Sequence, residues 1–571
     1  MRFFLRMIIE SPTKALAFSD SRFILVYMEK TWFRGAVYQI YPRSFCDSNG
    51  DGIGDIQGII SKLDYLKDLG VKILWLSPIY KSPLFDMGYD VSDYYDIHED
   101  YGTMEDFEQL LLEAKKRGLK IVMDLVVNHT SMEHEWFRHA LKGEQPYHDY
   151  YIFKKGKKQG EPPNNWTSMF SGTAWEYVPE LDEWYLHLYD KAQPDLNWHN
   201  PAVLEEVEKI LRFYLDKGVY GFRCDVINQI YKDSFADGQG TYPSGRGKEH
   251  YLMKEGNHQV LKKLYEDVFS KYEDYVVIGE TLDVDIPNGQ RFLKDNELDM
   301  FFTFEHMDVG KKLGGAILQG FKPAKLREVL YKYQKEIPWN ALYFENHDQP
   351  RSLAHYGDEG KYRDASAKAL ATLLLTLKGT PFIYQGQELG ALWAKPRDPR
   401  KSKDCCAHAL LKMMKSVFHL PTSIAKRLVY NLDRDRCRAP MAWAPGPGIG
   451  FTTAEKAWLP FTKDDELHNV KTEENSANSV LNFYKSLLLL RKENEELTLG
   501  QFHEVPTSGS LFAYRRRYEN RELLILVNLS KKTLRLPRYL HNIAGDVVLE
   551  SGKAKSPNSL PPYGVKIIRV A

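Results

Sequence analysis

A unit of helical stripe, glycine and apolar strand recurs along this chain, and it restricts the fold more than any other feature. Ile56, Ile59, Ile60, Leu63 and Leu66 have helical spacing, Gly70 closes the run, and VKILWLSP (71–78) follows as a buried strand. Phe107, Leu110, Leu111 and Ala114 repeat the stripe, Gly118 ends it, and LKIVMDLVVN (119–128) is the next strand. Val207, Ile210, Leu211 and Tyr214 form a third, followed by Gly218 and VYGFRCDVIN (219–228). The alternation predicts a parallel α/β fold. AVYQIYP (36–42), YVVIGE (275–280), MFFTF (300–304), ALYFENHD (341–348) and PFIYQGQE (381–388) bring the strands to eight, the number that closes a (β/α)8 TIM barrel. No G-x-G-x-x-G follows a strand, so a dinucleotide fold has little support.

At 571 residues the chain is too long for one ordinary core. The stretch from His129 to His199, rich in Tyr, Trp, Lys and Gly, is far longer than a βα loop should be, so residues 129–199 are expected to form a small inserted domain over the barrel mouth. The barrel then comprises 28–128 and 200–498. From about Leu499 the texture changes to alternating runs such as LFAYRRRY and LLILVNLS, which predicts an all-β C-terminal domain, a β-sandwich over 499–571. Residues 391–431 fit no part of this repeat. Met28-Glu29-Lys30 precedes the first strong strand, so residues 1–27 are read as an upstream in-frame extension.

Lys plus Arg and Asp plus Glu both total 77, which leaves no basic excess for nucleic acid and favours a neutral ligand. The 13% aromatic content suits sugars as well as cores. Five cysteines without paired metal spacing point to a reduced, cytoplasmic protein. Met1 to Ile9 is apolar but carries Arg2 and Arg6, and Glu10 closes it well short of the roughly twenty residues a membrane span requires, so no membrane association is expected.

Three strand tips carry an acid: Asp225, Glu280 and Asp348. A barrel gathers its strand C-termini on one face, so these residues should converge, with Asp124, Asn128, His129 and His347 at the same level. Arg223 shares a strand face with Asp225 and favours its ionised form, although an Asp capping the next helix within an ion pair reads the same locally. Glu280 follows the apolar run Val276 to Ile278, whose desolvation favours a protonated carboxyl. One ionised acid and one protonated acid at a barrel mouth are what glycosidic cleavage needs, and a spacing of about 5 Å between Asp225 and Glu280 would give the retaining course. A third acid would hold ring hydroxyls as the oxocarbenium ion forms. Separately, the loop Asp47 to Asp55 places oxygen ligands at alternate positions between glycines, as Ca²⁺ prefers. It opens like an EF-hand but has Gly58 where the bidentate Glu would stand, and a solvated Asx-turn loop is the alternative.

With DLVVNH, QPDLN, GFRCDVIN, VVIGET and ENHDQPR in this order, the chain resembles the α-amylase superfamily (glycoside hydrolase family 13), within it the oligo-1,6-glucosidase and dextran glucosidase branch of α-glucosidases. The resemblance runs from about Lys30 to the C-terminus and is weakest between Ala391 and Asn431. It implies that Asp225 is the nucleophile, Glu280 the acid/base and Asp348 the transition-state stabiliser. His129, His347 and Arg223 would line the subsite for the non-reducing glucose and Tyr89 would stack on it. Asp86 in FDMGYD and Arg434 in DRDRCRAPMAW match the pair that grips this glucose and closes the pocket, which implies exo action. Asp47, Asn49, Asp51, the Ile53 carbonyl and Asp55 match the family's structural Ca²⁺ ligands, and no organic cofactor is implied.

Val226 looks like the α-1,6-acting members, whereas α-1,4-preferring relatives tend to carry Ala; Val as a good strand residue is the plainer account. FTFEHMD (302–308) also looks like the oligo-1,6-glucosidases. Two segments depart from the branch: LGALWAKPRDPRKSKDCC (389–406) where EIGMTN and an acidic segment are usual, and RAPMAW in place of RTPMQW. The expectation is an exo-acting, retaining α-glucosidase of short isomalto-oligosaccharides, a monomer or small homo-oligomer. Trehalose-6-phosphate hydrolase, α-1,4-glucosidase and sucrose isomerase are the enzymatic alternatives. An amylase-like transporter heavy-chain subunit is the non-enzymatic one.

Overall fold

The computed structural model describes residues 30–158, 160–240, 246–312, 315–318, 320–395 and 397–571; the extension proposed for 1–27 lies outside them. Eight strands form one parallel sheet: β1 (Val37–Ile40), β2 (Ile73–Leu76), β3 (Lys120–Leu125), β4 (Gly221–Cys224), β5 (Val276–Glu280), β6 (Met300–Phe302), β7 (Ala341–Leu342) and β8 (Thr380–Tyr384). They run in the order β6-β5-β4-β3-β2-β1-β8-β7, a barrel with every neighbour paired except β6 and β7. All eight correspond to the predicted strands, and the ladder register sets Arg223 of β4 beside Asp124 of β3.

The predicted stripes are helices with the expected stops. The first is broken at Lys62 into α1 (Ile56–Ser61) and α2 (Leu63–Leu69), which ends at Gly70 with φ 103°. Helix α3 (Met104–Lys116) opens on a capping box between Thr103 and Asp106 and buries Phe107, Leu110 and Ala114. Helix α4 (Pro201–Asp216) is capped by Asn200, starts on proline and buries Val207, Ile210, Leu211 and Tyr214 against the sheet. Each such fully buried aliphatic side chain contributes about 1.5–3 kcal/mol, which docks the helical ring on the barrel.

Every strand but β5 ends earlier than its predicted run, and two of these ends place site residues. β7 stops at Leu342, and the rest of ALYFENHD turns out of the sheet, where the Asn346 side chain accepts from the Asp348 amide at 2.8 Å. β4 stops at Cys224, so Asp225 and Val226 stand just beyond it. At β7 that local bond competes with the ladder, and at β4 the left-handed turn at Val226, φ 38°, ends it.

Within 129–199 lie a helix (Glu135–Ala140) and a three-stranded sheet of Phe153–Lys154, Glu183–Leu186 and Trp175–Val178. Its own small core holds Trp166, Trp175, Leu186 and Leu188, joined by Tyr251 from the chain after β4. At the C-terminal end β9 (Gln501–Glu504), β10 (Leu511–Tyr518), β11 (Arg521–Asn528), β12 (Gly545–Ser551) and β13 (Val565–Val570) form an antiparallel sheet, with a two-stranded sheet of Leu534–Arg535 and Ser559–Leu560 beside it. Alternation divides β10 and β11 cleanly: Phe512, Tyr514, Ile525 and Val527 join the main core, while Leu511, Ala513, Leu524 and Leu526 pack in a second cluster with Leu536, Leu540 and Leu560. The irregular stretch 391–431 contains a helical hairpin, α5 (Cys405–Ser416) and α6 (Thr422–Val429), packed through Ala407, Leu411, Ala425 and Val429. No helix of the described residues is long and apolar enough to cross a membrane.

Candidate active site

Arg223 is the hub of the strand-end cluster. Its Nη1 donates to Asp124 Oδ1 at 2.6 Å and to Asp225 Oδ1 at 2.7 Å, and its Nη2 pairs with Glu280 Oε2 at 2.6 Å. The guanidinium is 2% exposed, so three carboxylates share one buried cation. Burial pushes Glu280 up to about 8; Arg223 opposes that shift and the charges of Asp225 and Asp348 reinforce it. Burial also raises Asp225, with Arg223 pulling it down and Asp124 adding to the rise. The sequence reading, in which Arg223 alone holds Asp225 ionised, is therefore too simple. The arginine acts in the expected direction, but its charge is divided among three acids. Both acids are raised by burial, and Arg223 opposes the rise in each.

Val226 connects the two. Its backbone N–H donates to Glu280 Oε2 at 3.1 Å, and its φ of 38° and ψ of 38° lie in the left-handed region. A β-branched residue is disfavoured there, and Val226 lies outside β4, so strand propensity does not explain its presence. Val226 is itself buried.

Asp348 sits in the opposite electrostatic setting. Arg438 Nη2 donates to its Oδ1 at 2.6 Å, with Arg434 Nη1 at 3.5 Å and His347 Nε2 at 3.4 Å from its carboxylate. Partial burial works against ionisation, but the Arg434 and Arg438 guanidinium groups outweigh it and hold this carboxyl well below the usual range. His347 is fully buried and stays neutral, its pKa lowered to about 3 by desolvation. The Gln39 amide donates to its Nδ1 at 2.8 Å, so Nε2 carries the proton and donates to the Tyr89 hydroxyl at 2.7 Å, which in turn donates to Asp124 Oδ2 at 3.1 Å. The Tyr89 and His347 rings stack with centroids 5.3 Å apart and 7° between planes. His129 Nε2 donates to the Tyr89 carbonyl at 3.0 Å, and Gln193 of QPDLN bonds both that carbonyl, at 3.0 Å, and Asp86 Oδ2, at 3.3 Å.

The outer end of the site is closed by Arg434, whose Nη2 lies 2.6 Å from Asp86 Oδ1 and 2.6 Å from Asp404 Oδ1. Phe170 of the inserted domain covers the guanidinium, its ring centroid 5.3 Å away. Asp404 and Arg438 were not singled out from the sequence. Arg438 opens the RAPMAW segment and Asp404 lies in the divergent 389–406 segment, so both stood in motifs noted only as departures. Nothing in their spacing marks them, because their partners are as much as 90 residues away in the chain.

The loop from Asp47 to Asp55 is folded around its own acids. Asp47 Oδ1 accepts from Asn49 and Gly50 amides at 3.0 and 2.7 Å, Asn49 Oδ1 from Asp51, and Asp51 Oδ1 from Ile53. Asp55 caps α1 through Gly58 N. The donor set fits a hard cation: Asp47, Asn49, Asp51, the Ile53 carbonyl and Asp55 present only oxygens, and Asp47 and Asp55 are buried. The three carboxylates are not drawn as close together as Asp86, Asp404 and Cys405, whose ligand atoms lie within 4.8 Å of one another. There Arg434 already supplies the positive charge.

Residues 39–500 match the model of the alpha amylase catalytic domain. The oligo-1,6-glucosidase of Parageobacillus thermoglucosidasius is 45% identical over 527 residues, 90% of this chain and 93% of that protein. The trehalose-6-phosphate hydrolase of Bacillus subtilis is 42% identical over 509 residues, covering 87% and 89%. Among solved structures, a trehalose-6-phosphate hydrolase of Bacillus licheniformis superposes with a TM-score of 0.87 at 40% identity, over 95% of this chain and 100% of that one.

Proposed function

The chain belongs to the α-amylase family of glycoside hydrolases, and within it we propose an exo-acting, retaining α-glucosidase that hydrolyses α-1,6 bonds at the non-reducing ends of short isomalto-oligosaccharides. The observation that carries this reading is one guanidinium, Arg223, holding Asp225 and Glu280 on its two terminal nitrogens inside a pocket whose end is closed by the Asp86–Arg434 pair. Two carboxylates sharing a fork stand as neighbours, which favours attack by one of them over attack by a water placed between them.

In the first step the Asp225 carboxylate bonds to the anomeric carbon while Glu280 gives its proton to the departing glycosidic oxygen. In the second, Glu280, now ionised, takes a proton from water as that water's oxygen replaces Asp225 at the same carbon. The permanently charged Asp348 binds ring hydroxyls more tightly as positive charge develops. Tyr89 and His347 supply a flat floor for the glucose, with His129 and Arg223 on its walls. Asp86 and Arg434 leave no room for a further sugar beyond it. Val226, forced into a left-handed turn between nucleophile and acid/base, shapes the wall next to the leaving group.

The Asp47–Asp55 loop is proposed to hold a structural Ca²⁺ through the five residues above; bound there, the ion would supply charge compensation for the acids and stiffness for the loop. The five unpaired cysteines accord with a reducing cytoplasm, where we place the protein as a monomer or small homo-oligomer.

Turnover of isomaltose, maltose, sucrose and trehalose 6-phosphate by the wild type and by Val226→Ala tests the linkage. The reading expects isomaltose as the best of the four, and a shift of about tenfold toward maltose in the variant. Failure to cleave isomaltose, with turnover of trehalose 6-phosphate instead, would replace it with the phosphate-sugar hydrolase reading.

A further inference from the structure

Asp404 belongs to the helical hairpin segment with the least family character, yet its carboxylate is fully buried against a residue of the sugar pocket. Its Oδ1 accepts from Arg434 Nε at 2.9 Å and from Nη2 at 2.6 Å, and its Oδ2 accepts from the Arg434 backbone N–H at 3.0 Å. Three bonds from one acid fix both the main chain and the planar head of that arginine, which leaves Nη2 to reach Asp86 at 2.6 Å and Nη1 only distantly placed, 3.5 Å, from Asp348. The same carboxylate caps α5, its Oδ1 accepting from Cys406 N at 3.0 Å, and the Ser402 hydroxyl donates to the Asp404 neighbours Asp433 and Asp435 at 2.7 and 3.0 Å. Burial alone would raise this carboxyl, but Arg434 outweighs it and the acid is held low.

We infer that Asp404 is a positioning residue for substrate binding: it holds the Arg434 head against Asp86 and so keeps Asp348 available to sugar hydroxyls, an inference that rests on the gripping role proposed above for Asp86 and Arg434. The charge balance explains why a holder is needed. Without the Asp404 carboxylate, Arg434 would have only Asp86 and Asp348 to neutralise, and would close on Asp348, which the glucose must reach. The hairpin thereby acts on the pocket through one side chain.

Asp404→Asn separates this role from a merely structural one, because Asn caps a helix as well as Asp does and so preserves the start of α5. Steady-state kinetics on the preferred glucoside, with the inhibition constant of free glucose as a second reading, should show KM and the glucose constant both raised about tenfold while kcat changes less than about threefold. Asp404→Glu should recover part of the loss. Combining Asp404→Asn with Arg434→Ala should be no worse than Arg434→Ala alone, since both act on one contact. An unchanged KM in Asp404→Asn beside a raised KM in Arg434→Ala, or additive penalties in the double variant, would overturn the role of Asp404. An unchanged KM in Arg434→Ala would overturn the gripping role itself, and the inference with it.

Discussion

On the β3–β5 side of the barrel mouth one buried guanidinium, Arg223, faces the three carboxylates of Asp124, Asp225 and Glu280, whereas on the β7 side one carboxylate, Asp348, faces the guanidinium groups of Arg434 and Arg438. The Arg223 side is buried and Asp348 partly so, and desolvation acts against charge on each. The outcome differs because the ratio of acid to base is reversed. A surplus of acids around one cation retains a proton near neutral pH, which the cleavage needs on Glu280. A surplus of cations around one acid leaves a permanent anion, which is what stabilises developing positive charge. One fold thus produces two kinds of carboxylate a short distance apart through the placement of three arginines.

The sharpest way to break that contrast is to remove a cation from the Asp348 side. Arg438→Met is expected to lower kcat by about a hundredfold, since Asp348 would lose its closest partner and its fixed orientation. A loss below about threefold would mean that Arg434 suffices. The pH profile of kcat/KM sharpens the contrast without mutation. Glu280 must carry a proton to act as acid, and its pKa is raised to about 8, so activity should fall as the pH rises through about 8. Asp225 must be ionised, and its pKa is also raised, so the acid limb should begin above the ordinary carboxylate range. Asp348, held low, should contribute no limb in the accessible range. A profile flat to high pH would contradict the assignment of Glu280. The smallest effect concerns the loop far from this chemistry. Removal of Ca²⁺ by a chelator should lower Tm by about 2–5 °C, reversed by added Ca²⁺, with kcat little altered. An unchanged Tm would leave the Asx-turn account of that loop.

The eight strands were legible because each carries an apolar run, three of them after a helical stripe and a glycine stop. The three acids were legible because a barrel delivers strand ends to one face. The electrostatics around them were less so. Arg223 sits two residues from Asp225, and its ion pair with that acid can be read locally, but its pairs with Asp124 and Glu280 are made across the sheet. Arg438 and Asp404 reach their partners over 90 and 30 residues of chain, and a contact of that kind leaves no spacing to recognise. Val226 illustrates the opposite error. In a string of strand-forming residues it reads as one more, and only the backbone shows that the strand has ended and that a β-branched side chain occupies a conformation it disfavours.

The central claim is that Asp225 forms a covalent bond to the sugar and that Glu280 protonates the leaving group and later activates water. Glu280→Gln incubated with α-glucosyl fluoride tests it most directly. Fluoride departs without a proton, so Asp225 can still bond to the anomeric carbon, but the variant lacks the base that would let water release it. Mass spectrometry of the digested protein should find one glucosyl unit on the peptide containing Asp225. An adduct on another residue, or none while the fluoride is consumed, would contradict the account.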